Sequence, residues 1–207
     1  MKKSTDGGNT WTERRCTWNK DASINPSIAL DGLNVYVVWQ DYTPGNYEIF
    51  LRKSTDGGKT WITKRLTWNE VWSSVPQIAV YGPNIYVVWV DNIPGNYELS
   101  LKKSTDSGDT WITRRLTWNK GYSVYPSIAA DGVNIYIVWE DATPGYPEIF
   151  LKKSANGGDT WETKRLTNNA GYSTHPAIAV DGSNIYVVWQ DDTPGNDEIY
   201  FKKGVLY

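Results

Sequence analysis

The octapeptide STDGGKTW at residues 54–61 has counterparts at one fixed distance along the chain: STDGGNTW at 4–11, STDSGDTW at 104–111 and SANGGDTW at 154–161. The period is 50 residues without slippage. Self-similarity at such a spacing marks a tandem array in which one supersecondary unit buries its apolar faces against its neighbours. Outward from each octapeptide the sequence runs on as ITKRLTW at 62–68, then a variable loop and a Pro-led run, PQIAV at 76–80. A turn follows, then IYVVW at 85–89, a Pro-Gly-Asn loop and ELSLKKS at 98–104, which leads into the next octapeptide.

Each repeat therefore reads as four short strands. In the first they fall near 26–30 (A), 35–40 (B), 48–53 (C) and 60–67 (D), rich in β-branched and aromatic residues and bounded by turn residues. Asp31-Gly32, Asp131-Gly132 and Asp181-Gly182 are tight-turn signals. No segment sustains helical spacing. Strand B is apolar on both sides of the pleat. Ile85, Val87 and Trp89 point one way, and Tyr86, Val88 and Val90 the other. Such a strand needs a sheet stacked on each face, which radially arranged blades provide. The expected fold is all-β: a β-propeller of four four-stranded blades, one domain over 1–207, with repeats at 4–53, 54–103, 104–153 and 154–203. Trp39, Trp89, Trp139 and Trp189 are the expected anchors between blades. The chain opens on the end of a C strand and a complete D strand (10–17) and closes on strands A, B and C. Pairing of that first outer strand with the last three strands is expected to close the ring. Exchange of the same strands between two chains, giving a strand-exchanged oligomer instead of a monomer, is the alternative.

Composition narrows the function classes. Twelve Trp and 14 Tyr against 3 Phe suit packed layers that end near solvent. A net charge of −2 gives no general attraction to nucleic acid or to an anionic membrane surface, and no apolar run is long enough to span a bilayer. Cys16 is the single cysteine and stands where the other repeats have Leu66, Leu116 and Leu166, which predicts a small buried residue. No metal ligand set and no cofactor motif is found. No secretory leader opens the sequence.

The octapeptide pattern Ser-x-Asp-x-Gly-x-x-Trp resembles the Asp-box of sialidase-type propellers. It stands as Ser4-Asp6-Gly8-Trp11, Ser54-Asp56-Gly58-Trp61 and Ser104-Asp106-Gly108-Trp111, with Ser154-Asn156-Gly158-Trp161 departing by Asp to Asn. The resemblance covers the whole chain. It implies the propeller fold, boxes that act as structural C-to-D turns, an extracellular or cell-surface setting, and an active face on the opposite side, where the D-to-A and B-to-C loops meet. Sialidases also require an arginine cluster, a tyrosine–glutamate pair and an acid. Arg14, Arg15, Arg52, Arg65, Arg114, Arg115 and Arg165 all fall on strands C or D, so no catalytic residue is carried over and the expectation is a non-enzyme. The recurring Asp41, Asp91, Asp141, Asp191 and Glu48, Glu98, Glu148, Glu198 are expected to close loops and pair with bases.

Variation between repeats concentrates in the D-to-A and B-to-C loops. Trp72, Tyr122, Tyr125, Tyr172, His175, Tyr42 and Tyr146 lie there and form the candidate ligand face, suited to a glycan or a protein partner. His175, the single histidine, aligns with Asn25, Val75 and Tyr125 and reads as a tolerant loop position. The leading expectation is a scaffold or interaction module, in keeping also with an engineered or excised repeat array. The alternatives are a lectin-like propeller and a sialidase-like glycoside hydrolase.

Overall fold

The computed structural model describes residues 1–92, 95–182 and 184–205. Every regular element in it is a strand. The chain begins with a short hairpin, β1 (Lys2–Lys3) and β2 (Thr12–Glu13). Blade 1 is the antiparallel sheet β3 (Ser23–Asp31), β4 (Asn34–Asp41), β5 (Glu48–Ser54) and β6 (Ile62–Arg65). Blade 2 is β7 (Ser73–Tyr81), β8 (Asn84–Asp91), β9 (Glu98–Ser104) and β10 (Ile112–Arg115). Blade 3 is β11 (Ser123–Asp131), β12 (Asn134–Asp141), β13 (Glu148–Ser154) and β14 (Glu162–Arg165). Blade 4 has three strands, β15 (Ser173–Asp181), β16 (Asn184–Asp191) and β17 (Glu198–Val205).

The doubly apolar B strand does what its pattern dictates. Tyr36, Val38, Ile49 and Leu51 of blade 1 pack against Ile78, Ile85, Val87 and Trp89 of blade 2. The same scheme joins blade 2 to blade 3 through Tyr86, Val88 and Leu101 against Ile135, Ile137 and Trp139, and blade 3 to blade 4 through Tyr136 and Val138 against Val187 and Trp189. The four B-strand tryptophans are all buried, as expected. Within a blade the Trp stacks on the ring across the sheet: Trp39 on Phe50 at 5.9 Å, Trp139 on Phe150 at 5.7 Å, Trp189 on Tyr200 at 5.8 Å.

The box turns are held locally. In the second, Ser54 Oγ accepts from Gly58 N at 2.8 Å, Asp56 accepts from Thr60 N at 2.9 Å, and Trp61 Nε1 donates to Gly58 O at 3.0 Å. Gly58 has φ +89°, where a Cβ would be strained. Asn156 keeps the bond from Thr160 N at 2.9 Å, and its amide donates to Thr160 Oγ1, reversing the direction found at the Asp boxes. Cations from the preceding blade then cap the turn: Lys53 donates to Ser107 O and Lys64 to Gly108 O, both at 2.7 Å. Strand D is shorter than the sequence suggested because the box turn runs through Trp61, and Thr67 leaves the ladder to bond Ile49 N with its hydroxyl at 2.8 Å.

Two expectations are corrected. Hydrogen-bonded closure of the ring is not formed among the described residues: β2 pairs with β1, and β17 pairs with β16 alone. The physical reason lies in the repeat. Lys3 pairs with Thr12 as Lys53 pairs with Ile62 one repeat on, so Lys2–Lys3 already fills the edge that 202–203 would need. The β1–β2 hairpin instead docks on blade 1 as a C–D pair, with Lys3 on Gly57 O and Arg14 on Gly58 O. Ile199 and Phe201 of β17 are 76% and 61% exposed, whereas the matching Ile49 and Leu51 are buried. Cys16 is half-buried instead of buried, because it belongs to this overhanging hairpin and lacks the sheet that covers Leu66 and Leu116.

Replacement of the fully buried Trp139 by Ala is expected to cost about 3–5 kcal/mol, the range for deleting a large core ring. Trp11→Ala, at a ring 59% exposed, is expected to leave the midpoint almost unchanged. Guanidinium unfolding followed by circular dichroism separates the two, and equal losses would contradict the stacking described.

Candidate functional site

At the axis, each A strand carries one irregularity. The ladder shifts register between Ile24 and Ser27, Ser74 and Gln77, Val124 and Ser127, and Thr174 and Ala177. The first of the two residues inside each shift has positive φ although none is glycine: Asn25 52°, Val75 50°, Tyr125 49° and His175 50°. A left-handed conformation costs a non-glycine residue about 1–2 kcal/mol, and most for β-branched Val75. It persists because the surrounding structure fixes it. Val75 N, for example, donates to Gln40 Oε1 of the preceding blade at 2.8 Å.

The bulges of blades 2, 3 and 4 place Val75, Tyr125 and His175 on a cavity of about 500 Å3 at the loop end of the A strands. Its walls include Tyr97, Tyr122, Tyr125, Val90, Glu140 and His175. The Tyr125 and His175 rings lie 4.3 Å apart, centroid to centroid, and form a shared platform. His175 and Tyr125 are therefore strand residues fixed by the bulge, not members of a tolerant loop.

Glu140 is the residue that sequence reasoning missed. It occupies the B-strand position held by Gln40, Val90 and Gln190 in the other blades. It is 4% exposed, and burial pushes its carboxyl up to about 7. The backbone N–H of His175 and the hydroxyl of Tyr122 pull the other way. Oε2 has no hydrogen-bond partner among the described residues. Tyr122 is in turn pushed above its ordinary pKa by burial and by Glu140. A carboxyl that titrates near neutrality beside a phenol can exchange a proton with a bound ligand. The signal was available: Glu140 is the one acid in that column of the repeat.

The other members of the candidate face do not join this cavity. Tyr42, Tyr47 and Trp72 form an edge-to-face chain, with centroids at 5.1 and 5.8 Å, where the loops of blade 1 and blade 2 meet. Tyr146 and Tyr172 form a second such pair at 5.5 Å. The repeated carboxylates are engaged as the sequence suggested: Glu48 with Arg65 at 2.9 Å, Glu148 with Arg165 at 2.7 Å, and Asp41 with Thr43 N at 3.0 Å. None of the arginines lines the axial cavity. No group of His, Cys, Asp and Glu among the described residues could hold a metal ion.

No protein-family model and no curated protein sequence matches the chain. Solved structures do. An α-L-arabinofuranosidase from Fusarium graminearum superposes with TM-score 0.67 at 13% identity, over 88% of this chain and 62% of that one. The Trypanosoma rangeli sialidase superposes with TM-score 0.63 at 16% identity, over 88% of this chain and 36% of that one. The fold is a β-propeller. A GH43 endo-arabinanase from Bacillus licheniformis shares it with TM-score 0.53 at 17% identity, over 87% of this chain and 71% of its own. This chain thus spans less than two thirds of the first two propellers. The expectation of a non-enzyme is corrected here. It rested on one family's missing arginine clamp, whereas these neighbours are all glycoside hydrolases, and two are named for arabinose-containing substrates. A missing clamp excludes the clamp, not catalysis.

Glu140 also makes stability depend on pH. Its folded value lies above the ordinary 4.5, so its contribution is complete below about pH 4.5 and is lost as pH rises through about 7. Asp91, raised by burial from 3.8 to about 6, acts with the same sign. Glu140→Gln, the residue already present at 40 and 190, is expected to flatten the fall in unfolding midpoint between pH 5 and pH 8. An unchanged slope would contradict a buried, protonated Glu140.

Proposed function

We propose that the axial mouth is a carbohydrate-processing site that cleaves the glycosidic bond of a neutral sugar. The observation that carries the reading is the buried Glu140 carboxyl facing Tyr122, on the propeller axis, with a Tyr125–His175 ring platform beside it. The raised value of Glu140 suits a group that gives a proton to a departing glycosidic oxygen near neutral pH and takes one back. Tyr122 is the group placed to meet the anomeric carbon. A Tyr–carboxyl pair in place of two carboxylates departs from the usual glycosidase pattern, and the single carboxyl also departs from the sialidase-type set of a tyrosine–glutamate pair with a separate acid. The platform offers an apolar face to the sugar ring, and the two edge-to-face clusters, Tyr42 with Trp72 and Tyr146 with Tyr172, would extend it as flanking subsites.

Substrate charge follows from the lining. A sialoside carries a carboxylate that calls for a guanidinium clamp, and no arginine lines the cavity. A neutral pentose or hexose fits the aromatic walls. Hydrolysis of 4-nitrophenyl glycosides, with α-L-arabinofuranoside first and a sialoside as control, tests the reading. Turnover of a neutral glycoside is expected, falling about 100-fold or more in Glu140→Gln, the usual cost of losing a general acid. The rate should decline as pH rises through about 7, where Glu140 ionises. No turnover of any neutral glycoside, or turnover indifferent to Glu140, would overturn it.

A further inference from the structure

Blade 4 is built like the others but is left uncovered on one side. Its A, B and C strands are present, and the outer edge of β17 has no partner among the described residues. On the same side Val188 is 38% exposed, whereas Val38, Val88 and Val138 at its position are fully buried against the next blade. Between blades 3 and 4 runs a groove of about 420 Å3, lined by Leu151, Leu166, Ile185 and Val187 among others. Its counterparts at the earlier junctions are filled by box turns. Gly108 lies against Ile85 and Leu51, Gly158 lies against Ile135 and Leu101, and Trp111 and Trp161 pack into the same cores. Lys153 and Lys164 border the groove, at the positions from which Lys53 and Lys64 cap the next box.

The other end of the chain carries the complementary parts. The box at 4–11 and strand β2 form a box turn and a D strand with no A or B strand beside them. Trp11 is exposed, whereas Trp61, Trp111 and Trp161 are half-buried. On the open face of blade 1, Ile28 is 54% exposed where Ile78 of blade 2 is buried. A cavity of about 340 Å3 adjoins it, bordered by Met1, Pro26, Val37 and Trp39. Only the first residues stand in for the strands of a preceding blade: Met1 packs against Val35, Val37 and Trp39 as Leu51 packs against Ile85, Val87 and Trp89. Met1-Lys2-Lys3 lies four periods before Phe201-Lys202-Lys203, so both are the same stretch of C strand.

We infer that the open side of blade 4 is a docking surface for a second copy of this chain, which presents its hairpin and blade 1. Strand β17 of one copy displaces Lys2–Lys3 of the other and pairs with its β2, and the Trp11 box enters the groove. Lys153 and Lys164 then reach Gly7 O and Gly8 O, as Lys53 and Lys64 reach Ser107 O and Gly108 O within the chain. Phe201 takes the place of Met1 on Val35, Val37 and Trp39. The chain's own hairpin is held on blade 1 and leaves β17 free, so the groove is filled from outside. The contact repeats a junction that the chain already forms three times between its own blades. Its two sides are different surfaces, so it is heterologous and propagates into rings or longer arrays. It does not depend on the chemistry proposed at the mouth.

Native mass spectrometry and light scattering of the full chain test it. Raising the concentration from about 1 to about 100 μM is expected to convert single chains into particles of two or more, by mass action. Phe201→Asp on blade 4 and Ile28→Asp on blade 1 each replace an exposed side chain of the single chain, and each variant alone is expected to stay monomeric. An equimolar mixture of the two is expected to form one-to-one pairs and nothing larger, because one intact blade 4 meets one intact blade 1. Wild-type chain that remains single at about 100 μM overturns the inference. Assembly that survives either substitution, or a mixture that stays monomeric, overturns it too. If a variant loses its circular dichroism spectrum, the wild-type chain decides alone. An amine cross-linker applied to mixed isotopically light and heavy chains is expected to join Lys153 or Lys164 to Lys2 or Lys3 of a different chain, and links confined to single chains refute the docking.

Discussion

Everything in this molecule depends on a strand that is apolar on both faces. Burial of a large apolar side chain contributes roughly 1.5–3 kcal/mol, and a B strand such as 85–90 carries six such side chains, three to each side. One sheet cannot bury both sets. The blades must therefore stack, with Trp89 of one blade against Tyr36 and Val38 of the previous one. The rest is arranged around that contact. The A strands of successive blades lie side by side, the box turns sit at one end of the blades, and the variable loops sit at the other.

Stacking also decides where strain can be stored. The A-strand bulges hold Asn25, Val75, Tyr125 and His175 in a conformation that unconstrained residues avoid. The B strand of the preceding blade supplies the counterpart, as Gln40 does for Val75 N. The scaffold thus fixes one side chain per blade at the axis regardless of its identity. That is why a tyrosine and a histidine can face each other there at 4.3 Å while the backbone remains the same in every repeat.

Much of this was legible in the sequence. The 50-residue period, the two-sided B strand and the box turns lead to stacked four-stranded sheets, and the anchoring tryptophans are where the pattern puts them. Closure was not legible, because the competition between Lys2–Lys3 and 202–203 for one edge appears only when the repeats are laid on top of one another in space. The candidate face was half legible. Tyr122, Tyr125 and His175 do converge, but Tyr42, Trp72, Tyr146 and Tyr172 form separate clusters, since loop proximity along the sequence does not fix distance across an axis. Glu140 escaped for a plain reason. Attention to what every repeat shares passes over the single column in which one repeat differs.

The cation caps on the box turns have a consequence of another kind. Lys53 and Lys64 reach forward onto the next turn, as Lys3 and Arg14 do onto the turn at 57–58. Every junction thus has the same polarity, like overlapping roof tiles. A gene segment encoding one whole tile can be duplicated or lost by unequal recombination, and each remaining seam keeps the same direction, with a cation of one blade on the box turn of the next. Lineages carrying such a unit can change their tile number in a single genetic event, leaving later point substitutions to individualise the copies.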